Sequence, residues 1–227
     1  MMTRLHITVV LLVAAAIWVA LLMLQGVVVN GVWLRPFSMV ITALVIVLAV
    51  FDRWLWHLAL LRGWFVRRPD VRGTWKVEML SNWKDPATGT PTPPILAFVA
   101  IRQTFSSLSV RLYSEESASE LLGADVVKAE DGSFRLAGVY RNEPLLSVRG
   151  RSPIHYGALV LDVADNPATA LAGHYWTDRD TKGEIRSVGH LGTVASNYEH
   201  ARRLHEDAVT RVAGSSTRAA EQGPGGS

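Results

Sequence analysis

The chain contains no cysteine, which excludes disulfide scaffolds, thiol nucleophiles, thiolate zinc sites and cysteine-ligated iron–sulfur clusters. Charge is also scarce, at 19% of the residues, and Asp52 is the only acid within the first 68 residues, against six arginines. The other 17 basic and 19 acidic residues lie in the rest of the chain. That part lacks the strong positive field that duplex nucleic acid binding needs, so we expect no DNA or RNA polymer as a partner.

Two hydrophobic runs open the chain. The run Ile7–Leu24 carries no charge and is long enough, at helical rise, for a membrane helix. A second uncharged run, Phe37–Phe51, follows a turn signal. We predict a two-helix transmembrane hairpin with spans at about 5–28 and 37–60. The pattern does not fix the residue at which the second span ends. A cleaved signal peptide is the alternative for the first run, but that run is long for one and another hydrophobic segment follows at once.

The placement of the arginines predicts the orientation of this hairpin. The connecting loop holds only Arg35. Five arginines follow the second run, namely Arg53, Arg62, Arg67, Arg68 and Arg72. Because positively charged flanks stay on the cytoplasmic side, we expect a multi-pass membrane protein with both termini in the cytoplasm.

A different hydrophobic pattern begins after Pro69, where the period becomes two, as is typical of strands. Eight runs carry this pattern: Val71–Leu80, Ile95–Phe105, Leu108–Ser114, Leu121–Lys128, Phe134–Arg141, His155–Val163, Leu171–Asp178 and Glu184–Leu191. Mostly short turns join them. This favours an all-β cytosolic domain of about eight strands, closed into a small lipocalin-like barrel, with an open sandwich as the alternative.

Three segments therefore make up the predicted chain. Residues 1–66 hold the two transmembrane helices and residues 70–194 form the β-barrel ligand-binding domain. Residues 195–227 form a C-terminal helix, at Tyr198–Val212, and a tail from Gly214 that its glycines and serines predict to be disordered.

Alternation within the strands places a candidate ligand site on the inward face of the barrel. Several inward series mix large polar side chains with glycines, and buried polar groups cost free energy unless they are hydrogen-bonded. The mixture predicts a cavity whose hydrogen-bond partners come partly from a bound molecule. The candidate ligand-binding residues are Trp75, Gln103, Ser114, Tyr140, Asn142, His155, Tyr175, Thr177 and Arg179.

Taken singly, several of these residues also have a structural interpretation that needs no ligand. Tyr140 and Tyr175 fit core tyrosines whose hydroxyls reach water at a barrel rim. Arg179 fits a solvated charge near a turn. His155 fits a strand-end histidine, and Trp75 fits a plug at the base of the barrel. Only the joint placement of these residues favours a ligand site.

Catalytic motifs are absent from the sequence. There is no H-E-x-x-H motif, and no glycine-rich phosphate loop follows a strand. His200 and His205 are five residues apart, so they do not lie on the same face of a helix. We expect a binding protein that is not an enzyme and that has neither a metal nor a cofactor.

The order of motifs resembles a known family. Behind the two hydrophobic runs come Gly73–Trp75 and Ile101–Phe105, followed by the blocks Tyr140–Pro144, His155–Gly157 and Leu171–Arg179. The later blocks are similar to the Tyr-x-Asn-x-Pro, His-x-Gly and Leu-x-Gly-x-Tyr-x-Thr-x-Arg motifs of the two-transmembrane, β-strand-rich effectors of CBASS anti-phage systems. These effectors are CD-NTase-associated, STING-like β-barrel receptors. The resemblance covers residues 5–192.

The resemblance implies a receptor for a cyclic dinucleotide. A CD-NTase enzyme makes this second messenger on phage infection, the cytosolic barrel binds it, and the receptors oligomerise and disrupt the bacterial inner membrane, which causes abortive infection. The implied partners are the cyclic dinucleotide, inner-membrane lipid and other copies of the chain. Two other functions stay open: a membrane-anchored, lipocalin-like binder of a small apolar ligand, whose interior would be wholly apolar, and a structural membrane protein with a filled barrel.

Overall fold

The computed structural model describes residues 4–26, 31–85 and 88–221. The chain divides into two compact units. The first unit comprises Met1–Arg62 with Thr104–Ser106, and the second comprises Gly63–Gln103 with Ser107–Ser227.

The first unit is helical. Helix α1 spans Arg4–Leu24 and helix α2 spans Gly31–Val50, and a π-helical turn at Phe51–Leu55 and a 3-10 turn at Ala59–Leu61 come next. Helix α2 begins six residues before the predicted second span, because a turn signal marks where a helix is interrupted but not how long the interruption is. Within the part of the chain that the structure describes, no helix combines the length and the apolarity needed to cross a membrane. The transmembrane hairpin therefore stays a prediction.

The second unit contains a closed antiparallel barrel, in which each strand pairs with the next and the last pairs with the first. Its strands are β1 (Gly73–Ser81), β2 (Ile95–Gln103), β3 (Leu108–Ser114), β4 (Ser117–Lys128), β5 (Phe134–Pro144), β6 (His155–Ala164), β7 (Ala170–Thr177) and β8 (Lys182–Leu191). Closure leaves no edge strand. The predicted eight-stranded barrel is confirmed, and the open sandwich is excluded.

Strand β4 differs most from its predicted range, because it begins at Ser117 rather than at Leu121. Its register against β5 shifts between Leu121 and Gly123, and one extra residue in a strand reverses the faces on its two sides. Ser119 lies before the bulge and Val126 after it, and both side chains are buried. Regular alternation would place them on opposite faces, because they are an odd number of residues apart. Alternation counted back from Val126 assigns Ser119 to the wrong face.

The lower half of the barrel, towards the start of β1 and the end of β2, is a packed core. Its inward side chains are large, apolar and buried, and they include Val77, Ile101, Leu136, Leu161 and Leu171. Burial of this kind contributes about 1.5–3 kcal/mol for each side chain relative to an exposed one. This half of the barrel is therefore the hydrophobic core of the domain.

A hydrogen-bonded plug closes the lower end. Trp75 is 1% exposed, donates from Nε1 to the Val71 carbonyl at 2.9 Å and stacks on His190 with the ring centroids 4.0 Å apart. Gln103 Oε1 accepts from the Val71 N–H at 3.0 Å, and Gln103 Nε2 donates to the Pro69 carbonyl at 3.0 Å. The two side chains fix the segment that leads into β1.

Trp75 and Gln103, which the sequence assigned to the ligand site, therefore lie apart from the residues that line the cavity described below. Both residues are buried on the inward side, as their alternation predicted, but they lie in the half of the barrel that side chains fill. Their polar atoms bond the chain rather than a ligand. Alternation predicts the face of a residue, whereas its depth along the barrel depends on strand register and tilt.

Helix α3, Tyr198–Glu221, packs against the outer face of the barrel at β2. The side chain of Asn197 caps its first turn, because Oδ1 accepts from the His200 N–H at 2.8 Å. Phe98 of β2 contacts Tyr198 edge-on, with the ring centroids 5.5 Å apart, and forms a second apolar cluster with Ala195 and Ala201. The outward side of β2 is thereby covered at Phe98, in the middle of the strand.

Helix α3 extends further than the sequence predicted. It reaches Glu221, eight residues into the segment that was predicted to be disordered from Gly214. The sequence Arg218–Glu221 consists of strong helix formers, which outweighs the glycine and the serines before it. Residues 222–227 of the predicted tail lie outside the described residues.

The plug generates a stability prediction. Replacing Gln103 with Leu should lower the free energy of unfolding by about 2 kcal/mol or more, because the buried Val71 N–H and Pro69 carbonyl lose their partners. Urea denaturation followed by tryptophan fluorescence measures the change. Arg102→Ala, at an exposed neighbouring position, is the control and should be close to neutral. A Gln103→Leu variant as stable as the parent but with weakened ligand affinity would contradict the structural role.

Candidate functional site

The upper half of the barrel holds a cavity of about 750 Å³, which lies in the range of small-molecule sites. All eight strands contribute to its wall, and the connections at the upper end, residues 82–94, 115–116, 145–154 and 178–181, contribute to its rim. An eight-stranded barrel has an interior wide enough either for its own side chains or for one small ligand. In this barrel, side chains fill the lower half, and the upper half has room for a ligand.

Strand pairing brings the polar residues of the wall into one row. Ser119 of β4 pairs with Asn142 of β5, which pairs with His155 of β6. Ser119 Oγ donates to Asn142 Oδ1 at 2.8 Å, and both side chains are buried. Because the carbonyl oxygen of Asn142 accepts this bond, the amide NH2 is the donor that Asn142 can offer a ligand.

Two tyrosines lie beneath this row, each beside a glycine on the next strand. Tyr140 pairs with Gly157, and Tyr175 pairs with Gly183. A Cβ added at Gly157 would lie 2.4 Å from Tyr140 Cζ, and one added at Gly183 would lie 2.7 Å from Tyr175 Cε1. Each ring therefore lies across its glycine, in space that any larger residue would fill. The sequence pattern of glycines beside polar residues reflects this packing.

Both phenols remain protonated at neutral pH. Burial raises the pKa of Tyr140, and the nearby Tyr175 and Asp178 raise it further. Burial also raises the pKa of Tyr175, which a hydrogen bond with Ser81 partly offsets. The two tyrosines thus offer the cavity neutral hydroxyl donors and aromatic rings.

Arg179 lies in the turn between β7 and β8 and lines the cavity. Its Nη1 donates to Ser152 Oγ at 3.0 Å and lies 3.5 Å from His155 Nδ1, and Nη2 lies 3.5 Å from the Arg151 carbonyl. No acid among the described residues forms a salt bridge with Arg179. The rim therefore carries a guanidinium that no carboxylate of the described residues pairs with directly.

A second arginine of the rim does have an acidic partner. Arg151, in the connection between β5 and β6, forms a salt bridge with Glu116 of the β3–β4 turn, and both line the cavity. Glu115 lines it as well. Side chains of both signs thus surround the opening.

The structure brings most of the predicted site residues together. Those that line the cavity are Ser114, Tyr140, Asn142, His155, Tyr175, Thr177 and Arg179. Ser114 lies where β3 ends, with its Oγ 2.9 Å from Ser117 Oγ. Trp75 and Gln103 lie in the lower plug instead.

Sequence reasoning missed other polar and aromatic residues of the lining, among them Ser119, Arg151 and Trp83. Ser119 was assigned to no inward series, because the predicted strand began at Leu121 whereas β4 begins at Ser117. Arg151 and Trp83 lie in connections, where no period predicts a direction. A tryptophan in the proline-rich segment 82–94 was the one available signal, since large exposed aromatic side chains in loops are typical of binding sites.

The histidine of the cavity wall is held by the backbone. His155 Nδ1 lies 3.0 Å from the Pro153 carbonyl, so the ring is held by the backbone rather than by a carboxylate that would orient it for catalysis. Across the described ranges 4–26, 31–85 and 88–221, no group of three or more metal-type side chains could hold a metal ion. The groups around the cavity are suited to hydrogen bonding, stacking and anion binding.

A closed barrel with one packed half and one open, polar half is the architecture of a receptor for a small ligand. The family described as "Cap15, cyclic dinucleotide receptor domain" matches residues 66–188. This match covers more than half of the chain, and the chain belongs to that family. The match contains seven of the eight strands in full.

A curated relative agrees with the family match. "CD-NTase-associated protein 15" of Staphylococcus schleiferi is 26% identical over 154 residues, which are 68% of this chain and 79% of the relative. The resemblance drawn from the sequence motifs is thereby confirmed: the protein is a CBASS effector with a cyclic dinucleotide receptor domain.

Proposed function

We propose that this protein senses a cyclic dinucleotide in the upper half of its barrel and transmits the signal to the membrane as an anti-phage effector. The observation that carries the proposal is the cavity of about 750 Å³, which lies in the region that matches the receptor family. The lower half of the same barrel is filled. The ligand therefore enters from the upper end.

The chemistry of the lining suits both parts of such a ligand. A cyclic dinucleotide carries two phosphates and two bases. Arg179 supplies a charge-assisted donor for a phosphate, and the hydroxyl of Thr177 and the amide of Asn142 add neutral donors. The rings of Tyr140 and Tyr175 supply surfaces for the bases, since stacking on aromatic side chains accepts any base.

The polar lining also weighs against the other two functions. A carrier of an apolar ligand needs an apolar interior, yet Ser119, Asn142 and Arg179 line the cavity. A purely structural barrel needs a filled interior, and half of this one is open. We propose ligand binding without catalysis, because the polar groups here hold one another or the backbone.

A binding experiment on the full-length protein in detergent tests the proposal. Cyclic di-AMP, cyclic di-GMP and cyclic GMP–AMP are titrated calorimetrically, with their linear dinucleotides as controls. At least one cyclic compound should bind. Arg179→Ala should then weaken its affinity about tenfold or more, because a charge-assisted contact in a partly desolvated cavity is lost.

Two other arginines are matched controls. Arg102 and Arg186 are exposed on the outer faces of their strands, and their replacement by alanine should leave the affinity unchanged. An Arg179→Ala variant that binds as tightly as the parent would move the phosphate site elsewhere. If none of the cyclic dinucleotides binds the parent, the proposed function is wrong.

We also propose that residues 1–66 anchor the receptor in the inner membrane as a hairpin with both termini in the cytoplasm. Support comes from the two uncharged runs and from the arginines that flank the second one, against the single Arg35 between them. The barrel then lies in the compartment in which a CD-NTase makes its product.

The orientation has a direct test. Two reporters are fused after Ser227 in turn. A reporter that is active only in the cytoplasm should be active, and one that is active only in the periplasm should be inactive. Moving basic charge into the loop, for example with Asn30→Arg, should weaken this bias, because the positive-inside preference depends on that asymmetry. Activity of the periplasmic reporter alone would overturn the orientation.

The last part of the proposal is the response to the ligand. We infer that receptors with bound nucleotide associate and that their clustered spans disrupt the membrane, which causes abortive infection. Exposed apolar side chains on neighbouring strands, Val139 of β5, Tyr156 of β6 and Trp176 of β7, support an interaction surface on the outer face of the barrel.

Dye release from vesicles tests this response. Vesicles that contain the full-length protein should leak an entrapped dye when the bound cyclic dinucleotide is added, and should stay sealed with its linear form. With Arg179→Ala, leakage should need about tenfold more nucleotide, in proportion to the lost affinity. Leakage that does not depend on the nucleotide, or nucleotide binding without leakage, would refute the coupling between binding and membrane disruption.

A further inference from the structure

We propose that Arg151 is a second phosphate-binding cation of the cavity and that Glu116 competes with the nucleotide for it. Without nucleotide, the Glu116 carboxylate holds the Arg151 guanidinium. When nucleotide enters, a ligand phosphate takes its place. This inference rests on the proposed function and specifies how the rim of the same site recognises its ligand.

The backbones of the two residues are already fixed near each other. Glu116 follows β3, and its carbonyl accepts from the Leu145 N–H at 2.8 Å. The Arg151 N–H donates to the Val148 carbonyl at 3.1 Å. The exchange therefore needs only side-chain rotation, with no movement of either connection.

The ion pair is inexpensive to open. The side chain of Arg151 is 65% exposed and that of Glu116 is 52% exposed, and pairs this exposed contribute little, because water and salt screen them. A phosphate offers the same guanidinium two oxygens in a geometry suited to its fork of N–H donors. The ligand can therefore displace the carboxylate at little cost.

A neighbouring ion pair shows that the loop does not depend on this one for its shape. Arg149 Nη2 bonds Glu143 Oε1 at 3.0 Å, and Arg149 Nε donates to the Pro144 carbonyl at 3.1 Å. Arg149 and Glu143 do not line the cavity, whereas Arg151 and Glu116 do. The first pair holds the connection between β5 and β6, which leaves the second pair available for a ligand.

The charges of the lining point the same way. Two arginines, Arg151 and Arg179, and two glutamates, Glu115 and Glu116, line the cavity, whereas the ligand carries two negative phosphates. Arg179 Nη2 lies 3.5 Å from the Arg151 carbonyl, so both arginines belong to the same part of the rim. Releasing Arg151 from Glu116 provides one cation for each phosphate.

Calorimetric titration of the full-length protein in detergent tests this exchange, with whichever of cyclic di-AMP, cyclic di-GMP and cyclic GMP–AMP binds the parent. Glu116→Gln should tighten binding about two- to fivefold, because the competing carboxylate is removed. Arg151→Gln should weaken binding about tenfold. Arg135→Gln and Asp162→Asn break an exposed ion pair on the outer faces of β5 and β6 that does not line the cavity, and they should change nothing.

A double variant separates direct competition from a general field effect. In the Arg151→Gln background, Glu116→Gln should lose most of its tightening effect, because two residues that act through one contact are not additive. Glu115→Gln removes a charge from the same rim and should tighten binding less than Glu116→Gln does.

Three results overturn the exchange while the parent still binds nucleotide: unchanged or weaker binding by Glu116→Gln, unchanged binding by Arg151→Gln, or an equal effect of Glu116→Gln with and without Arg151. Failure of the parent to bind any of the three cyclic dinucleotides overturns the proposed function instead. Both side chains are exposed, so melting temperatures of the variants should match the parent and confirm that they fold.

Discussion

The interior volume of a closed eight-stranded barrel is the constraint on which this structure depends. Closure pairs every strand and fixes the width of the interior, so the inward residues alone decide whether that space is core or cavity. In the lower half, side chains such as Leu136, Leu161 and Leu171 fill it. In the upper half, the rings of Tyr140 and Tyr175 lie across Gly157 and Gly183, and a cavity of about 750 Å³ remains. The packed core and the cavity thus occupy different halves of one barrel.

This division explains why polar residues occur at both ends of the barrel with opposite roles. At the lower end, Gln103 and Trp75 bond the chain that leads into β1 and so close the core. At the upper end, Asn142 and Arg179 bond other residues of the wall and rim while still facing the cavity. A ligand that enters from above meets prearranged donors, which reduces the entropy lost on binding.

Much of this fold could be predicted from the sequence, because alternation of apolar and polar residues directly reports the two faces of a strand. The eight strands were found in this way, and seven residues of the cavity lining were predicted from the sequence. Depth along the barrel was not predictable, so Gln103 was placed with the cavity residues. The start of β4 was not predicted either, and Ser119 lay outside the predicted strand, beyond the bulge that interrupts the alternation. Arg151 lies in a connection without a period, so only tertiary structure reveals its place at the rim.

Photoaffinity labelling is the most direct test of the claim that the nucleotide occupies the upper half of the barrel. An 8-azido derivative of a cyclic dinucleotide that binds is photolysed on the full-length protein, and the labelled peptides are mapped by mass spectrometry. The label should fall on the cavity wall and rim, at Tyr140, Tyr175 or Trp83, and excess unlabelled nucleotide should prevent it. Competable labelling confined to helix α3 or to the outer face of the barrel would contradict this location.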